Sequence, residues 1–81
     1  MSTRDTIVTV VTDVAREQRK TLAPLDDDAM LLDLGLDSLC IAVIVARLEA
    51  IFGRDPFSVF DDVEMPATFG GLVKLYDAVL V

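Results

Sequence analysis

The stretch Asp33-Leu34-Gly35-Leu36-Asp37-Ser38-Leu39, with the apolar run from Cys40 to Ala46 behind it, decides how this chain is read. Gly35 permits a tight turn. Asp37 and Ser38 then stand where an apolar segment of helical length begins, and either residue type caps a helix well. The predicted helix starts at Asp37 or Ser38 and ends near Gly53, a good C-cap. The first-turn N–H groups of a helix lack intrahelical partners, and the helix dipole favours negative charge there. Ser38 is therefore well placed to bear a phosphate.

The two faces of this helix differ. Cys40, Ile41, Ile44, Leu48, Ile51 and Phe52 form one bulky arc, the expected core stripe. Ser38, Leu39, Ala42, Val43, Ala46, Glu49 and Ala50 form the opposing arc, small and apolar with a single charge. A solvated face normally has more polar residues. The competing expectation is a helix buried on both sides. Cys40 lies about 200° around the helix from Ser38, on the bulky side, and is read as a buried structural thiol rather than a nucleophile.

Outward from this helix, the segment from Thr3 to Lys20 is rich in valine and threonine. Strict alternation fails because Ile7-Val8 and Val10-Val11 are adjacent pairs. At about 100° per residue, Ile7, Val8, Val10, Val11, Val14 and Ala15 share one side. An amphipathic helix is predicted, capped by Ser2 or Thr3. The connection from Thr21 to Asp37 is long, and Leu25, Met30, Leu31, Leu32 and Leu34 are too many apolar residues for a free loop. Several are expected to anchor it. Its Asp26-Asp27-Asp28 run lacks the glycine and distal glutamate of a calcium loop, so no metal site is predicted. A short helical turn is expected within Phe57 to Val63, anchored by Phe57 and Phe60. Thr68 should cap a last helix reaching about Val79, with Phe69, Leu72, Val73, Tyr76, Val79 and Leu80 on one side. Gly70 and Gly71 weaken its first turn and suggest close packing against another helix. The expected fold is all-α: a small four-helix bundle of three main helices and one short one, forming a single domain over residues 1–81.

Composition narrows function. The chain has 81 residues, no histidine and one cysteine, which excludes Ser–His catalysis, a disulfide framework and the usual structural zinc sites. A serine hydrolase would need Lys20 or Lys74 as base, and neither is evidently placed for that. The formal charge of −7 is uneven: residues 21–37 sum to −5 and residues 55–81 to −4. This argues against nucleic acid and anionic membranes, which need a cationic face. It suits partners with basic docking patches. The longest apolar run falls far below the roughly 18 residues of a membrane span, and no signal peptide is visible. A soluble, cytoplasmic, free-standing monomer is expected.

The seven-residue motif resembles the phosphopantetheine attachment motif (D/E)-x-G-x-D-S-L of acyl and peptidyl carrier proteins, and the order of predicted helices fits that family over the whole chain. The resemblance implies a four-helix carrier fold, with Ser38 as the attachment residue for 4′-phosphopantetheine taken from coenzyme A. Asp37, Gly35 and Leu39 complete that site. Leu39, Ala42, Val43 and Ala46 would form the docking face, with Asp61 and Asp62 at its rim. It implies a non-catalytic protein whose partners are a phosphopantetheinyl transferase and the acyltransferase, adenylation enzyme or synthase that loads and unloads the arm. Carriers of fatty-acid synthesis usually hold a glutamate five residues after the modified serine; here Val43 stands there, beside Ala46 and Ala50. The segment from Phe57 to Thr68, with Phe60 and the Pro66-Ala67-Thr68 ending, looks closer to peptidyl and polyketide carriers. The expectation is therefore a discrete carrier of acyl or aminoacyl thioesters in polyketide or nonribosomal-type specialised metabolism. A fatty-acid carrier is the alternative within the family. An unmodified, or phosphorylated, helical interaction module is the alternative outside it.

Overall fold

A computed structural model describes residues 2–59 and 64–80. Four helices follow in order: α1 (Thr3–Glu17), α2 (Ser38–Phe52), α3 (Pro56–Val59) and α4 (Phe69–Leu80). A single 3-10 turn, Leu31–Asp33, interrupts the long connection between α1 and α2. There is no strand among the described residues, only an isolated bridge between Met30 and Thr68. α1 packs against both α2 and α4, and α3 packs against α4. The result is the small helical bundle that the periodicity predicts.

α1 forms despite its β-branched residues because burial outweighs their modest helix propensity. Ile7, Val10, Val11, Val14 and Ala15 are buried, while Val8 is partly buried against the core. The Ser2 Oγ accepts from the Asp5 N–H at 3.1 Å and caps the start. Outward-facing threonines satisfy their hydroxyls locally: Thr9 donates to the Asp5 carbonyl at 3.0 Å. The helix ends at Glu17, short of the Lys20 expected from the pattern. There Arg19 takes the left-handed conformation at φ 57°. The Arg19 N–H donates to the Arg16 carbonyl at 3.1 Å, and the Lys20 N–H reaches back to Ala15 at 2.8 Å. This is a Schellman reversal built on a non-glycine residue.

The connection lies pinned on the bundle. Leu31, Leu34 and Leu36 are buried, but Leu32 points out at 88% exposure. Arg4 pairs with the Asp27 carboxylate, donates to the Leu25 carbonyl at 3.2 Å and sits over the Phe69 ring. The same stretch caps α4. The Phe69 N–H donates to Ala29 at 2.9 Å and the Gly70 N–H to Asp27 at 3.0 Å, while the Gly71 N–H donates to the Thr68 Oγ1 at 3.0 Å. The close approach expected at Gly70 is thus to this connection, not to a helix. A Cβ on Gly70 would lie 2.9 Å from both the Cβ and the carbonyl oxygen of Asp27.

In α2, Cys40, Ile44 and Leu48 are buried, and Ile41 and Phe52 are partly covered. Ile51, expected in the core stripe, is 56% exposed. It lies in the last turn, on the inward side of the helix but at its end. Phe52 meets Tyr76 with ring centroids 5.7 Å apart, and burial pushes the Tyr76 hydroxyl up to about 12. Leu80 is 37% exposed at the end of its helix. In α3, Pro56 is buried and Phe57 is partly covered. Phe60, the second expected anchor, lies outside the described residues.

Candidate functional site

Three local devices converge on the start of α2. The first is the turn at Gly35, whose φ is +93°. A Cβ there would stand 2.3 Å from the Thr21 carbonyl oxygen, so only glycine lets the two chain segments touch. The Ala23 N–H also donates to the Leu34 carbonyl at 3.1 Å, which holds the segments together. The second is the Asp37 cap. Its Oδ1 accepts from the Cys40 N–H at 2.9 Å. The third is Lys20, whose ammonium lies 3.2 Å from Asp37 Oδ2. The Cys40 N–H first, then the Cys40 side chain and the Lys20 ammonium, lower the Asp37 carboxyl from 3.8 to about 2.

Ser38 follows as the first residue of α2 and is exposed, as is Leu39 at 59%. Two clefts meet at the serine. One, of about 440 Å³, has mostly apolar walls that include Met30, Leu32, Ile41, Met65 and Pro66. The other is an open groove of about 520 Å³ between α2 and α3, lined by Ala42, Val45, Ala46, Glu49 and Phe57. Ser38, Ile41 and Met65 border both. An exposed primary hydroxyl on a helix start, with an apolar trough beginning at its side, fits a long flexible group attached through a phosphate.

The predicted site residues Gly35, Asp37, Ser38 and Leu39 lie together at the turn before α2 and in its first residues. Of the predicted docking face, Leu39, Ala42 and Ala46 are exposed, and Glu49 and Ala50 extend it. Val43 is only partly exposed and packs against the core. Asp61 and Asp62 lie outside the described residues. α2 is thus buried on one side only. Cys40 is fully buried. Among the described residues no group of acidic, cysteine or histidine side chains could hold a metal, and no helix is long and apolar enough to cross a membrane.

Sequence reasoning missed two contributors. Lys20 was placed in α1 and given no relation to Ser38; the only available signal was a base just past a helix end. Leu32 and Met30 are among the five apolar residues of which several are expected to anchor the connection, yet with Met65 they form exposed apolar margins beside Ser38.

Ser38 is thus an exposed hydroxyl at the start of a helix in a four-helix frame. The family model for the phosphopantetheine attachment site matches residues 5–62, well over half of the chain. The chain belongs to that family, the acyl and peptidyl carrier superfamily, whose members bear covalent 4′-phosphopantetheine. No curated protein and no solved structure matched it.

Proposed function

We propose that Ser38 is the residue that bears the phosphopantetheine, and that the protein acts as a discrete, non-catalytic carrier of acyl or aminoacyl thioesters. One observation supports this most: within the matched region, Ser38 is the exposed first residue of α2, behind a doubly anchored Asp37 and at the junction of two clefts. The Ser38 hydroxyl would form a phosphodiester with the group delivered from coenzyme A by a phosphopantetheinyl transferase. When bound, the group supplies a flexible arm whose terminal thiol holds cargo as a thioester. Asp37 fixes the helix start that presents Ser38, and Gly35 sets the turn before it. Ile41, Met65 and Leu32 offer apolar walls to an arm rooted there.

Residues 1–81 form one carrier domain in this reading, acting as a cytoplasmic monomer without nucleic acid or membrane partners. Leu39, Ala42, Val43 and Ala46 make its docking face, with Asp61 and Asp62 at the rim and Leu32 and Met65 widening it across Ser38. The exposed stripe of Ala42, Ala46 and Ala50 bears only Glu49. It lacks the acidic row that basic enzymes of fatty-acid synthesis would read. This favours a dedicated carrier in polyketide or nonribosomal-type metabolism, loaded by an acyltransferase, adenylation enzyme or synthase.

The test is intact mass after incubation with coenzyme A and a promiscuous phosphopantetheinyl transferase. Wild type should gain one phosphopantetheinyl group and Ser38→Ala none. A folded wild type that gains nothing would make an unmodified helical interaction module the better account.

A further inference from the structure

The geometry points to Lys20 as a positioning residue for the loading of Ser38: it pins the Asp37 carboxylate and offsets its charge where a phosphate must arrive. This rests on the reading of Ser38 as the modified residue.

Loading forms the bond from Ser38 Oγ to phosphorus. It breaks the pyrophosphate P–O bond of coenzyme A, releases adenosine 3′,5′-bisphosphate, and sends the hydroxyl proton to the transferase. Both reactant and product place phosphate charge one residue away from Asp37. The surrounding chain makes this worse. Residues 21–37 contain five aspartates and no base, and the next base after Lys20 in the sequence is Arg47. Arg47 is already committed to Glu17, with contacts of 2.6 and 2.5 Å. Lys20 is the base that meets the motif, 3.2 Å from Asp37 Oδ2.

Its placement is built rather than incidental. Arg19 adopts a left-handed conformation that side chains other than glycine rarely take, and this reversal puts Lys20 directly after the α1 terminus. The Lys20 N–H is then fixed on Ala15 at 2.8 Å. The next residue, Thr21, touches Gly35 so closely that no side chain fits between them. The segment bearing Lys20 is thereby locked to the segment bearing Asp37. With Oδ1 held by the Cys40 N–H and Oδ2 by Lys20, the carboxylate has both oxygens occupied and is kept from turning toward Ser38. Lys20 touches neither the hydroxyl nor the phosphate in this account; it acts through Asp37.

Initial loading rates with coenzyme A and a promiscuous transferase test this on wild type, Lys20→Met, Lys20→Arg, Asp37→Asn and the Lys20→Met/Asp37→Asn double variant. At low ionic strength Lys20→Met should lose about fivefold in kcat/KM, the size of a partly exposed ion pair. Lys20→Arg should retain the wild-type rate. In the Asp37→Asn background, which keeps a capping side chain, Lys20→Met should cost nothing further. The loss should shrink near 1 M salt, where the Debye length is about 3 Å. The Asp37 carboxyl, titrated by NMR without any loading, should move upward in Lys20→Met. Unchanged loading by Lys20→Met, an equal loss in the Asp37→Asn background, an equal loss in Lys20→Arg, or an unmoved Asp37 titration would each overturn the assignment. Ser38→Ala runs alongside: a mass gain on that variant overturns the reading of Ser38 itself, which the Lys20 kinetics do not address.

Discussion

Asp37 has both carboxylate oxygens engaged, one by a backbone N–H and one by an ammonium, and both contacts favour its charged form. The consequence for stability has a definite sign. The carboxyl titrates at 3.8 ordinarily and at about 2 in the folded protein, first because of the Cys40 N–H. Above the ordinary value it is charged in folded and unfolded chains alike, and its stabilising contribution is fully present. As pH falls from 3.8 toward 2 the unfolded chain takes up the proton first, and the contribution is lost. The protection of the Cys40 amide, the slowing of its exchange relative to the unfolded chain at the same pH, should fall over that window, and Asp37→Asn should flatten this part of the curve while keeping a cap. A wild-type exchange profile with no step between those values would contradict the assignment. At this scale much was legible. Ser2, Asp37, Gly53 and Thr68 announce helix ends through chemistry that belongs to the residue itself. Arg19 was not legible, because nothing in an arginine foretells a left-handed backbone; the demand comes from the segments it must bring together.

Elements show where local pattern stops informing. A period near 3.6 identifies which side of α2 faces inward, and Cys40, Ile44 and Leu48 follow it. It says nothing about how far the neighbours extend, which is why Ile51 ends up exposed. The connection before α2 is a stronger case. Its leucines announce attachment but not which of them attach, and Leu31 and Leu34 turn in while Leu32 turns out because the 3-10 turn resets the phase. Gly70 tests this view of the connection as an element that caps α4. Alanine there gains roughly 1 kcal/mol of helix propensity. It also forces a methyl onto the backbone and Cβ of Asp27, 2.9 Å away. Backbone cannot step aside as a side-chain tip can, so overpacking should win, and Gly70→Ala should lose about 1–3 kcal/mol in urea unfolding. Stabilisation by that substitution would mean the connection is free to lift from α4. The site shares this limit: the capped serine was readable, whereas the clefts beside it required knowing that Met30, Leu32 and Met65 meet there.

The molecule as a whole depends on α1, which packs against both α2 and α4. With extents of 32 × 23 × 22 Å there is room for one shallow core. A chain of this length holds about 4–12 kcal/mol of stability in all. Ile7 is fully buried in the core. Ile7→Ala removes three methyl or methylene groups from a place that cannot fully collapse, and should cost about 2–5 kcal/mol. At roughly 4–8 °C per kcal/mol for a domain of this size, melting should fall by more than about 8 °C. Loading at Ser38 should respond differently. The start of α2 is organised by local contacts of Asp37, Lys20, Gly35 and Thr21, and α1 separates Ile7 from its own C-terminus by about 15 Å of helix. At a temperature where the variant remains folded, its kcat/KM with a promiscuous transferase should stay within about twofold of wild type, while any loss at higher temperature should track the unfolded fraction. Circular dichroism melts and loading rates on the same samples separate the two. A loading defect in the fully folded variant would mean that core packing reaches the serine, and that the handle is less independent of its frame than its local anchors indicate.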